Sequence, residues 1–142
     1  MAQVIHKLAD KGRTASFMIT NSGTTVSNAT IIDASALEGA ISGEDQRFRV
    51  THLSCLNAGK DGDDKNYSIQ LLWDASSNQL AMTLPMGQTE CYPGLIPVDD
   101  PSLASSTGDL LINTSAEVQY TIFITIEKNR GYFPSKKFNR GF

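Results

Sequence analysis

The sequence predicts an all-β protein, an antiparallel β-sandwich or jelly roll with extended N- and C-terminal arms. The first reason is residues 117–128, EVQYTIFITIEK. With a period of two, Val118, Tyr120, Ile122, Ile124 and Ile126 point one way, and Gln119, Thr121, Phe123, Thr125 and Glu127 the other. This is a long half-buried strand, rich in β-branched and aromatic side chains and uninterrupted by Gly or Pro. Second, 11 Gly and 5 Pro divide the chain into short segments, seven or eight of which read as strands. Third, only residues 34–40, ASALEGA, read as helix, and that piece is too short to stand alone. Short strands without crossover helices favour antiparallel over parallel pairing. Periodicity does not choose between a jelly roll and an immunoglobulin-like strand order.

Taken in order, residues 2–8 are an arm or an edge strand, ending at the turn Asp10, Lys11, Gly12. Residues 13–20 form a strand with Ala15, Phe17 and Ile19 on one face, and Asn21-Ser22-Gly23 turn the chain. Residues 24–33 are again β-rich, and 34–40 cap an open end of the sheets. In 47–56 the alternation sets Phe48, Val50, Ser54 and Leu56 against Arg49, Thr51, Leu53 and Cys55. The polar stretch 57–66 reads as a loop. Residues 67–74 and 79–85 form a hairpin, with Tyr67, Ile69, Leu71 and Trp73 on one face. The segment 86–108 reads as ordered loop, and 109–114 lead into the long final strand. Three units follow: 1–12 as N-terminal arm or edge strand, 13–128 as the β-sandwich domain, and 129–142 as a basic, aromatic C-terminal arm.

A chain of 142 residues suits one domain that buries about two-thirds of its unfolded surface without metal or disulfide staples. No apolar run reaches the length of a membrane span, and the N-terminus lacks a signal-type apolar segment, so folding in a cytoplasm is expected. Cys55 and Cys91 then read as thiols. The net charge of -3 is unevenly spread. Lys128, Arg130, Lys136, Lys137 and Arg140 follow Glu127 with no acid among them. That leaves 7 Lys and Arg against 15 Asp and Glu before them, or -8 for residues 1–127. An acidic body opposes nucleic acid, and no membrane contact is expected.

Catalytic motifs are missing from the sequence. The two histidines, His6 and His52, belong to no elbow or metal-ligand pattern, so the chain reads as a non-enzyme without cofactor or metal. Asp61-Gly62-Asp63-Asp64 lacks the twelfth-position Glu of a calcium loop, since that position is Leu72. The sequons at Asn28, Asn66 and Asn113 carry no weight without a secretory signal. Trp73 shares its face with core residues, which leaves Tyr92, in the long loop, as the glycan contact of a carbohydrate-binding module. The sharpest feature is the end of the chain. Arg130, Tyr132, Phe133, Lys136, Lys137, Phe138, Arg140 and Phe142 interleave cations with aromatics, a composition suited to docking on another protein.

Several segments together resemble a family of small virion structural proteins of tailed, especially marine, bacteriophages. They are Phe17-Met18-Ile19-Thr20-Asn21, Ile32-Asp33-Ala34-Ser35-Ala36-Leu37, Leu72-Trp73-Asp74-Ala75, Gly94 with Ile96-Pro97, Gly108-Asp109 and Tyr120-Thr121-Ile122. Their order and spacing, from about residue 13 to 128, carry the resemblance; the extension after Lys128 lies outside it. The resemblance implies a virion protein assembled in the host cytoplasm, a capsid decoration or cement protein, with a neck or tail component as the competitor. Its implied partner is the major capsid protein or another virion protein, and homo-oligomerisation is left open.

Overall fold

A computed structural model describes residues 3–63, 65–91 and 104–133. Among these residues, nine strands form two antiparallel sheets: β1 (Gln3–Lys11), β2 (Thr14–Ser22), β3 (Ala29–Ile32), β4 (Arg47–Lys60), β5 (Ile69–Trp73), β6 (Gln79–Leu84), β7 (Gly87–Cys91), β8 (Leu110–Thr114) and β9 (Val118–Arg130). The five-stranded sheet runs β1-β2-β9-β4-β7, and the four-stranded sheet β3-β8-β5-β6. Their buried faces share one core.

β9 lies at the centre of the larger sheet, paired with β2 on one side and β4 on the other. Its inward residues Val118, Tyr120, Ile122, Ile124 and Ile126 are all at most 3 % exposed, as the alternation predicts. Ala15, Phe17 and Ile19 of β2 are buried beside them, and Trp73 of β5 meets Phe48 of β4 edge to face at 5.4 Å. Trp73 is therefore a core residue. The hairpin of residues 67–85 is the β5–β6 pair. Within the unit 1–12, read as an arm or an edge strand, Gln3–Lys11 form the edge strand β1 on β2, so the strand runs on through Asp10 and Lys11, expected as a turn.

Four local expectations change. The helix of residues 34–40 is a 3-10 turn at Ala34–Ala36, whose Ser35 N–H donates to Asp33 Oδ1 at 3.0 Å. The segment read as loop after Met86 contains β7, which pairs with β4 although GQTEC has no apolar alternation. β4 continues to Lys60 through residues read as loop. Asn57 makes this tolerable: its buried amide donates to the Tyr67 and Leu84 carbonyls at 3.0 and 3.2 Å and accepts from Gly59 N–H at 3.0 Å. Finally, the inward face of β4 changes parity. Its register against β9 shifts between Val50 and His52, so an extra residue turns the pleat over. Phe48 and Val50 face inward before the bulge, Leu53 and Cys55 after it, and Leu56 is left 56 % exposed.

Candidate functional site

The end of β9 is the most elaborate polar construction among the described residues. The alternation that buries Ile126 also sends Lys128 inward, where its side chain has 0 % exposure. A buried ammonium needs acceptors for its three protons. Lys128 Nζ donates to Asp10 Oδ1 at 2.7 Å, to the Gly12 carbonyl at 2.8 Å and to the Glu38 carbonyl at 2.7 Å. The Tyr132 and Phe133 ring centroids lie 5.7 and 5.5 Å away, near enough for cation–π attraction.

Asp10 also accepts from Glu38 N–H at 2.8 Å and from Lys7 Nζ at 3.4 Å. Burial, the largest single influence, pushes its carboxyl up, but the hydrogen bonds from Lys128, Glu38 and Lys7 and the Lys128 charge together hold it below the ordinary carboxylate value. Gly12 N–H donates in turn to Glu38 Oε2 at 3.1 Å. One cation thus ties the β1–β2 turn, the 37–41 segment and the end of β9 into a single body.

This mount holds the first residues beyond β9. Tyr132 is 2 % exposed and its hydroxyl donates to the Ala34 carbonyl at 2.6 Å; burial pushes its pKa up. Ile41 N–H donates to the Gly131 carbonyl at 3.0 Å, and Phe133 N–H to the Gly39 carbonyl at 2.7 Å. Gly131 is needed here. Its φ is +82°, and a Cβ would lie 2.6 Å from the Asp45 carbonyl oxygen. Gly39 is packed directly under the Phe133 ring.

The arm expected over 129–142 therefore needs correcting at its start. Arg130 is still strand, Tyr132 is core, and Phe133 is partly buried against that core. Arg130 forms a short ion pair with Asp45, which also holds Arg47 at 2.9 Å. Lys128 belongs to the interior, not to a cationic tail. Period-two spacing contained that signal, but the residue's charge argued against it. Lys136, Lys137, Phe138, Arg140 and Phe142 lie outside the described residues, as does Tyr92.

The remaining candidates lie elsewhere in the fold. His6 is exposed on β1, and His52 Nε2 lies 3.7 Å from Glu90 Oε2. Cys55 is buried in β4. After β4 the Asp63 carboxylate accepts from the Tyr67 hydroxyl at 2.6 Å and Lys65 N–H at 2.9 Å, and the Tyr67 bond in particular holds its pKa down; Asp64 lies outside the described residues. Burial, helped by Asp33 and Asp74, raises the Asp109 carboxyl, which accepts from Ala34 N–H at 2.8 Å and so anchors the 3-10 turn. No group of three or more His, Cys, Asp or Glu among the described residues could hold a metal ion.

The outward face of the larger sheet is built differently. Register sets Met18, Phe123 and Ser54 in one row and Thr20, Thr121, Leu56 and Gln88 in the next. These rows carry no formal charge until Glu90, at the β7 edge. Compared with known proteins, the chain matches no protein-family model, no curated protein and no solved structure.

Proposed function

We propose that this chain is a non-enzymatic virion structural protein, a capsid decoration or cement protein that grips capsid subunits through the extension beyond Phe133. A neck or tail component is the nearest competitor. The observation that carries the reading is the Lys128 mount. A segment destined to hold a neighbour must leave from a rigid origin, or ordering it on contact erodes the binding. Here Tyr132, Gly131 and Phe133 are fastened to the body at that origin. The nine residues that follow supply Lys136, Lys137 and Arg140 with Phe138 and Phe142, cations and aromatic anchors of interface type. Many copies on a lattice let modest contacts add by avidity.

The finer fold belongs to the same proposal. With β1 set aside as an outer strand, β2-β9-β4-β7 facing β3-β8-β5-β6 fits the eight-stranded, two-Greek-key plan of a jelly roll. Such folds recur in viral capsid and lectin domains, although the fold alone assigns no function. The resemblance of the body segments to virion proteins of tailed phages points the same way.

The test is truncation after Phe133, which removes residues 134–142 and spares the mount. The truncated protein should keep the wild-type melting temperature yet fail to join particles, and particles lacking it should lose resistance to heat. Incorporation at the wild-type level would defeat the proposal.

A further inference from the structure

We infer that the outward face of the five-stranded sheet carries a groove that binds a neutral saccharide. The groove has a volume of about 340 Å³ and is lined by Ser54, Cys55 and Leu56 of β4, Gln88 of β7, and Thr121 and Phe123 of β9. Ser54 stands opposite Phe123, and Leu56 opposite both Thr121 and Gln88, so these five share one face.

Among the described residues the other exposed large apolar side chains, Val4, Ile5, Leu8 and Leu80, lie on the edge strands β1 and β6, whereas this patch lies inside the sheet and combines two features. Leu56 is 56 % exposed and Phe123 43 %, which leaves an apolar pair in water on the middle strands of a sheet. Beside them, the side chains of Ser54, Gln88 and Thr121 have no hydrogen-bond partner among the described residues. One row away on the same face, Ser16 and Thr125 bond each other at 3.2 Å.

That pairing selects the ligand. A pyranose presents an apolar C–H face suited to lying on a phenyl ring, with hydroxyls around its edge that both donate and accept. Ser and Thr hydroxyls and a Gln amide also donate and accept, so they match hydroxyls without demanding a charge. An ionic ligand finds no counter-charge in the central rows; Glu90 lies at the rim, near His52. An extended peptide recognised by strand addition needs a free edge, whereas this groove lies on the face of the sheet, mostly over β4 and β9, each paired on both sides, and takes only the Gln88 side chain from the edge strand β7. Its volume is at the low end for small-ligand sites, about 300–1,000 Å³, and suits a chain terminus or a single ring. A groove this open binds weakly alone and gains from display in many copies.

The site lies apart from the mount, and the isolated full-length protein tests it, so its outcome is separate from that of the virion proposal. The protein, tetramerised through a biotin tag, is applied to an array of neutral and sialylated glycans. Neutral glycans should be retained, and titrating one of them should shift the amide resonances of Ser54, Leu56, Gln88, Thr121 and Phe123. Phe123→Ala should lower the array signal at least tenfold and Gln88→Ala severalfold, both with the wild-type melting temperature because both side chains are exposed. A blank array, retention of sialylated glycans alone, or an undiminished signal from Phe123→Ala would overturn the inference. A blank array with a concentration-dependent dimer that Phe123→Ala abolishes would overturn it too, and assign the face to a second copy.

Discussion

The two faces of β9 share one backbone and opposite chemistries. Inward, Val118, Tyr120, Ile122, Ile124 and Ile126 are packed to near-zero exposure, and Lys128 ends the row with every ammonium proton bonded. Outward, Thr121 and the exposed Phe123 stand opposite Leu56 and Ser54 of β4, with Gln88 of β7 opposite Leu56 beyond them. The inner face is saturated, so a change there is read as stability. On the outer face the Ser54, Thr121 and Gln88 side chains have no hydrogen-bond partner among the described residues, so if the saccharide proposal holds a change there is read as recognition. The mount belongs to the first class although it is polar, because burial makes each of its hydrogen bonds obligatory.

The largest effect should come from breaking the mount. Lys128→Ala strands the Asp10 carboxylate, 5 % exposed, and leaves the Gly12 and Glu38 carbonyls without their donor. Removing one partner of a buried ion pair costs about 3–5 kcal/mol. In a domain of this size that is a fall of roughly 10 °C in the thermal midpoint. A change below about 1 kcal/mol in chemical denaturation would show that the pair contributes little, and would dissolve the contrast between the two faces.

A smaller effect separates the mount from the rest of the inner face by pH. The Asp10 carboxyl sits below its ordinary value of 3.8, so it stabilises the fold above that value and ceases to do so as the pH falls through its folded value. Asp109, raised by burial, works in the opposite sense and favours the fold when protonated. Amide protection at residues 39–41 and 131–133, with the pH dependence of intrinsic exchange divided out, should therefore be steady from about pH 7 to 5 and fall below about pH 4, ahead of the β9 core amides. An equal loss of protection in the core would mean that the mount does not open on its own.

How much of this the sequence disclosed follows from what each residue answers to. The inner rows of β2 and β9 were legible because burial there follows the two-residue period without interruption. β4 was legible only to Val50, since the bulge before His52 exchanges its faces and leaves no mark in composition. β7 was missed because GQTEC has no apolar alternation, and Gly87, Gln88 and Glu90 stay exposed at the sheet edge. The 34–40 segment had helical composition, but Asp33 and Asp109 fix its first residues as a 3-10 turn. Gly131 looked like the beginning of an arm. It is instead a left-handed residue that lets the chain turn back under Asp45. The groove could not be read at all, because it depends on which residues of β4, β7 and β9 stand opposite one another.

The smallest effect is the most discriminating. Phe123→Ser removes a phenyl group that is 43 % exposed and flanked by Thr121 and Thr125 on its own strand, so little packing is lost. Surface substitutions of this kind stay within about 0.5 kcal/mol. The serine also keeps the outward face polar and β-compatible, and leaves the Ser54 and Thr121 hydroxyls in place. Unfolding in urea should consequently be unchanged, while any ligand or partner seated on this face should be lost. If Phe123→Ser costs as much as a core truncation, about 3–5 kcal/mol, the ring is holding the sheet together. The outer face would then be a second structural layer, and neither a groove nor a docking surface could be argued from its exposure.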